Sequence, residues 1–334
     1  MKNILIFLVV VLVIGFGVAS YMDTPTEHTD ELSVVTSFYP LYFFASEIGG
    51  EYADIHNVVP AGAEPHEYEP TPRDIITMEK SDVLILNGGG FEPWEHDVLE
   101  NLSADEIVIV LAGEDFMTRE FEEEEHHEDE MHEHEEDHDE HEDHDHEDEH
   151  EEEEHHHEGL DPHVWLSPEK AMLMVEEIVK GFVLADPAHE SIYRENASAL
   201  IAKLQTLDAD YRNALSVCTS RTIVTSHDAF WYLAEAYELE QLPISGLSPE
   251  AEPSAADLAE ISTFAEEHGV THVFFETLVS PRLAETLAQE IGAETLVLNP
   301  LGGLTAEEQD HGETYFTVMY ANLDSLTEAL GCTL

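Results

Sequence analysis

Short apolar, β-branched runs alternate along the chain with longer stretches of helical spacing. Leu-Ser-Val-Val-Thr-Ser-Phe at 32–38 alternates and predicts a strand. Tyr39-Pro40 breaks it, and Leu41 to Gly49 reads as a short helix closed by Gly49-Gly50. Strands are expected at 52–59, 82–86 and 107–111, with helices at 73–80 and 91–102. The segment 160–167 reads as extended, and Ser167-Pro168-Glu169 opens a helix to about Ala185 that Asp186-Pro187 stops. The longest helical pattern runs from His189 to about Val217. Ile192, Tyr193, Leu200, Ile201, Leu204, Leu207, Tyr211 and Leu215 fall mostly at helical spacing there, without Gly or Pro. At roughly 1.5 Å per residue it spans about 40 Å, the width of a small domain.

The alternation then restarts, with strands at 221–226, 240–244, 270–275 and 295–298 and helices at 227–237, 254–268, 281–291 and 314–330. Strands alternating with helices imply parallel sheets. The expected fold is therefore α/β with two lobes, each a parallel-sheet α/β sandwich, joined by one long rigid helix. The expected divisions are 32–186 for the N-terminal lobe, 187–217 for the connecting helix and 218–334 for the C-terminal lobe. Residues 1–20 combine Lys2 with an apolar or small run from Ile4 to Ala19, which reads as an export signal, cleaved or kept as an N-terminal anchor. Residues 21–31 form a linker. No Cys follows the apolar run, so a lipoprotein anchor is not supported.

Charge changes this picture at one place. Residues 120–158 hold 25 acids and 12 histidines with one Phe and one Met, too little apolar area for a globular core. The histidines are His126, His127, His132, His134, His138, His141, His144, His146, His150, His155, His156 and His157. Such a tract reads as a low-affinity metal-binding loop, with acids that concentrate cations around neutral imidazoles. The formal net charge is −64, and setting the tract's acids aside still leaves about −39. Nucleic acid is excluded as a partner, because phosphate contacts need Lys and Arg. The only cysteines, Cys218 and Cys332, are either a disulfide, which export permits, or two buried thiols.

Three single histidines outside the tract sit at loops or element boundaries. His66 lies in Pro-His-Glu-Tyr-Glu-Pro-Thr-Pro-Arg-Asp (65–74), His163 in Asp-Pro-His-Val-Trp-Leu-Ser-Pro (161–168) and His227 in Ser-His-Asp-Ala-Phe-Trp-Tyr-Leu (226–233). Ligands of parallel α/β sheets bind beyond the carboxyl ends of strands, where His66 and His227 fall. Two His-Glu-x-x-His matches inside the tract lack the packed helix that a zinc protease needs. Asn87-Gly88-Gly89-Gly90 fits neither a dinucleotide fingerprint nor a P-loop.

With Asn-Gly-Gly-Gly-Phe-Glu-Pro-Trp (87–94) and Leu-Asn-Pro-Leu-Gly (298–302) added to these motifs, the chain from Leu32 to Leu334 resembles a known family. This is the cluster of substrate-binding lipoproteins and adhesins that deliver zinc or manganese to ABC transporters, in particular the zinc-binding ZnuA-like group. The resemblance implies a monomeric, exported protein without turnover that captures Zn²⁺ between its lobes and passes it to a membrane permease. It also implies that His66, His163 and His227 are the ligands. Where the family often has Asp in the Leu-Asp-Pro-Leu-Gly motif, this chain has Asn299, which disfavours manganese. Water is the expected fourth ligand, with Glu64, Glu276 and Asn299 as other oxygen donors. Asp228 and Glu276 are the expected carboxylate supports for the imidazoles. The alternatives are manganese or iron as cargo on the same scaffold, or a metallohydrolase that activates water at the open position.

Overall fold

The computed structural model describes residues 31–102, 107–120, 159–249, 251 and 253–333. The N-terminal segment 1–30 and the His-rich tract 121–158 lie outside them, as do the expectations placed there. The first half contributes β1 (Leu32–Thr36), α1 (Tyr39–Gly49), β2 (Ala53–Asn57), α2 (Pro72–Met78), β3 (Val83–Leu86), α3 (Glu95–Asn101) and β4 (Val108–Leu111). Two long helices follow, α4 (Pro168–Ala185) and α5 (Glu190–Leu215). The second half contributes β5 (Thr222–Thr225), α6 (Trp231–Ala236), β6 (Glu240–Pro243), α7 (Ala255–Glu267) and β7 (His272–Phe275). It ends with α8 (Arg282–Ile291), β8 (Glu294–Val297), α9 (Ala306–His311) and α10 (Tyr315–Ala329).

The strands make two four-stranded parallel sheets with the same permuted order, β2-β1-β3-β4 and β6-β5-β7-β8. Strand β3 reads Val-Leu-Ile-Leu and is buried at all four positions, as expected of a strand covered on both faces. In each sheet the chain reverses its order of travel between two neighbours, β1 and β3 in the first lobe, β5 and β7 in the second. A crevice opens there at the carboxyl ends of the strands.

Helix α5 has 26 residues, about 39 Å at roughly 1.5 Å each. Tyr193, Ala197, Leu200, Leu204, Leu207, Tyr211 and Leu215 recur every three or four residues and form its buried stripe. That stripe packs on α1 and α4 of the first lobe and on α10 of the second. Asn196 Nδ2 fastens it to the Ile48 carbonyl at 2.9 Å, and Tyr211 Oη donates to the Met319 carbonyl at 2.5 Å. One continuous apolar core therefore runs from Leu32 through α5 to Leu330, with smaller clusters on the outer face of each sheet. Opening the lobes widely would expose this core, so the helix braces the cleft.

Three local readings differ from the sequence expectation. Residues 227–230 form a bend, and α6 begins only at Trp231. Residues 164–166 form a 3₁₀ turn within the stretch expected to be extended. Helix α9 was not expected, although Thr305 and Glu308 make a reciprocal capping box at its start. Cys218 and Cys332 are joined as a disulfide that ties the end of the chain to the residues after α5. Among the described residues no helix is long and apolar enough to cross a membrane.

Candidate metal centre

His227 lies two residues beyond β5 and Glu276 one residue beyond β7, so the reversal of chain order in the second sheet sets them side by side. His227 Nδ1 lies 2.5 Å from Glu276 Oε1, which also accepts from Ser226 Oγ at 2.6 Å. The His227 carbonyl accepts from Thr225 Oγ1 at 2.9 Å and from Gln241 Nε2 at 3.2 Å, which fixes the bend. His163 is fully buried in front of the 3₁₀ turn 164–166. Asp161 holds it twice, accepting from its backbone N–H at 3.0 Å and meeting Nδ1 at 2.9 Å. His66 sits in the 3₁₀ turn Pro65–Glu67, where the Glu64 carboxylate accepts the His66 N–H at 2.9 Å. The second lobe backs this turn. A Cβ on Gly302 would come within 2.9 Å of Pro65 Cγ, and Gly62 N–H donates to the Leu304 carbonyl at 2.8 Å.

The three imidazoles converge. Their ligand nitrogens all lie within 4.8 Å of one another, the only such group of three or more His, Cys, Asp or Glu among the described residues. His163 Nε2 is 3.2 Å from His66 Nε2 and 3.4 Å from His227 Nε2. A tetrahedral zinc site with arms of about 2.05 Å has edges of roughly 3.3 Å, so both separations match its edge. The hydrogen bonds also assign the tautomers. Carboxylates accept only, so Asp161 and Glu276 take the Nδ1 protons and leave the Nε2 lone pairs of His163 and His227 facing each other. At that distance a shared proton or a metal ion must sit between them, and a metal ion can engage all three imidazoles at once.

The electrostatics sharpen this requirement. Burial holds His163 and His66 well below the ordinary imidazole value, and the neighbouring histidines add to the effect. Burial pulls His227 down most strongly of any one cause, but the carboxylates of Glu276, Glu64 and Asp228 together outweigh it and raise the net value above 6.5. Burial pushes the Glu64 carboxyl up to about 7 and the Asp161 carboxyl up to about 6.

The other expected site residues have different employments. Asp228 supports no imidazole: its two oxygens each lie 2.7 Å from the Arg119 guanidinium, which takes it as a bidentate partner. The carboxylate that supports His163 is Asp161. It went unrecognised, although Asp-Pro-His invites an Asp side chain to accept the N–H two residues on. Arg119 was also missed, because nothing local links it to Asp228. Asn299 is turned into its own loop. Its Oδ1 accepts Leu301 N–H at 2.8 Å, and its Nδ2 donates to Thr277 Oγ1 at 3.0 Å and Glu308 Oε1 at 3.2 Å. Its carbonyl oxygen is thus used as a structural acceptor. The Gly88-Gly89-Gly90 run has positive φ throughout and curls over buried Glu92, which takes the N–H groups of Asn87 and Gly88.

Fold and site together define a two-lobed solute-binding protein whose cleft presents three converging imidazoles. The chain belongs to the ZnuA family, described as the periplasmic component A of the zinc-uptake complex, whose family model matches residues 34–329. The high-affinity zinc uptake system protein ZnuA of Bacillus subtilis is 40% identical over 319 residues, covering 96% of this chain and 94% of its own. The zinc-binding lipoprotein AdcA of Streptococcus pneumoniae is 39% identical over 298 residues, which are 89% of this chain and 56% of AdcA. This chain thus spans little more than half of AdcA. The crystal structure of the Zn(II)-bound ZnuA-like domain of that AdcA superposes with a TM-score of 0.70 at 34% identity, covering 90% of this chain and 99% of the domain.

Proposed function

We propose that this protein captures Zn²⁺ outside the cytoplasm, binds it in the interlobe cleft through His66, His163 and His227, and delivers it to an ABC permease. It works as a monomer and turns nothing over; its output is affinity, selectivity and release. One observation carries the reading. Two buried imidazoles, each with its Nδ1 on a carboxylate, turn their Nε2 atoms toward each other, and His163 meets His66 as well, at the spacing of a zinc coordination edge, with all three ligand nitrogens within 4.8 Å. Zinc accepts nitrogen-rich tetrahedral sites, whereas manganese favours carboxylate oxygens, and here Asp161 and Glu276 are engaged behind the imidazoles while Glu64 holds the His66 backbone N–H. Water is the proposed fourth ligand. The names and family description of the relatives support both the cargo and the location. The 12 histidines of the tract supply a second, weaker pool of zinc near the cleft.

The test is metal-dependent stabilisation. Excess Zn²⁺ should raise the unfolding temperature of the full chain well beyond what Mn²⁺ achieves, and His163→Ala should abolish that rise. An equal rise with manganese would assign the cleft a different cargo. A rise that survives His163→Ala would move the tight site elsewhere.

A further inference from the structure

Arg119 stands at the base of the His-rich tract and reaches across the cleft. The next residue, Glu120, pairs with Leu160 in an antiparallel bridge, so the chain leaves for the tract and returns from it at one point. Arg119 Nη1 lies 3.2 Å from Asp161 Oδ2, while Nη1 and Nη2 each lie 2.7 Å from an oxygen of Asp228. The guanidinium also lies over the Trp231 ring, 5.4 Å from its centre. The backbone N–H groups of Thr118 and Arg119 donate to Tyr232 Oη at 3.1 and 3.4 Å, and that hydroxyl donates to the Asp161 carbonyl at 2.9 Å. Asp228, Trp231 and Tyr232 belong to the second lobe; Thr118, Arg119 and Asp161 belong to the first. Asp161 orients His163, and Asp228 directly follows His227. One guanidinium therefore stands behind ligands from both sides of the cleft.

We infer that Arg119 is an interlobe latch, a positioning residue that sets how fast the cleft opens and lets its metal go. The inference rests on the metal reading above. Two of the three imidazoles come from the first lobe and one from the second, so an ion held by all three leaves when His227 separates from His163. That motion carries Asp228 away from Arg119 and must break two charge-assisted hydrogen bonds together. The Asp161 and Asp228 side chains are 0% and 4% exposed, and salt screens pairs so enclosed far less than surface pairs. Closing the cleft requires no such rupture, so the latch acts on release and not on capture.

The experiment is stopped-flow zinc release from the full chain into excess chelator, following the slow phase that His163→Ala removes. Arg119→Lys keeps the charge but replaces the fork with a point donor, and Asp228→Asn keeps the shape but removes the charge. Each should raise the slow dissociation rate by about tenfold or more while association stays within about twofold. The double variant should be no faster than the faster single variant by more than about twofold, because both changes remove one interaction. Release unchanged in both variants, or lower melting temperature without faster release, would overturn the latch while leaving the histidine site standing. A slow phase that persists in His163→Ala would overturn the metal reading itself.

Discussion

The two sheets share one strand order, yet their crevices are furnished differently. Beyond β1 and β3 the first lobe places Ser37 and Asn87 around buried Glu92, whose carboxylate takes Ser37 Oγ at 2.5 Å and Asn87 N–H at 2.8 Å. Beyond β5 and β7 the second lobe places His227 and Glu276, and there the carboxylate takes an imidazole Nδ1. Both arrangements bury a carboxylate and give it partners. Only the second leaves a lone pair pointing into the cleft. The fold supplies a crevice in each lobe, and the side chain just beyond one strand decides which crevice contributes a ligand to the site between the lobes.

The sharpest way to break this comparison is to remove the imidazole. A complete structural zinc site yields about 10–16 kcal/mol, so losing one nitrogen arm in His227→Ala should weaken zinc binding by about 100-fold or more. Competition with a chelator of known affinity measures it. Next come the carboxylates behind the ligands. Glu276→Gln and Asp161→Asn should each cost about 10–100-fold in zinc affinity, since both fix an imidazole's tautomer. Equal affinity in either variant would show that its hydrogen bond is incidental.

A smaller effect is the pH dependence. The carboxylates around His227, Glu276 foremost, raise it above the ordinary 6.5 against the pull of burial, so zinc competes with a proton there at a higher pH than at an ordinary imidazole. Affinity should therefore begin to fall on the alkaline side of 6.5 as pH drops, and Glu276→Gln should move that onset downward. Calorimetry in buffers of different ionisation enthalpy counts the protons released. An onset unmoved by the substitution would contradict the assignment.

The first lobe provides the matching control. Glu92→Gln should leave zinc affinity unchanged and act only on stability. Burial pushes its carboxyl up to about 7, so its stabilising contribution is full below about 4.5 and is lost as pH rises through 7. The wild type should lose roughly 3 kcal/mol over that window relative to Glu92→Gln, read from melting curves between pH 4.5 and 8. Parallel curves would show that Glu92 is not held protonated.

How much of this was legible beforehand follows from the range of each interaction. The strands were readable because Val-Leu-Ile-Leu and its counterparts must be buried on both faces. The long helix was readable from its stripe of Tyr193, Leu200, Leu204, Leu207, Tyr211 and Leu215. The three histidines could be singled out because each sits at an element boundary, and the geometry brings them together. Their supports were less accessible. Asp161 lies two residues from His163 and could have been inferred from local turn chemistry. Glu276 meets His227 across 49 residues, a contact that exists only because β5 and β7 are neighbours. Arg119 meets Asp228 across 109 residues, and no periodicity records such a pairing. Asn299 went the other way. Its place in a family motif suggested a ligand, whereas its amide was needed to close the loop before α9.

The central claim is that the cleft itself, independently of the His-rich tract, is a tight zinc site. Glu120 and Leu160 are paired, so residues 121–158 can be replaced by a short Gly-Ser connection without separating the ends. Calorimetric titration of that form with zinc and then manganese is the direct measurement. The expected result is one tight zinc site per chain, poorly filled by manganese and lost in His227→Ala. If the shortened protein folds but takes up no zinc tightly, the tract is the only binding element and the cleft is not the site of capture.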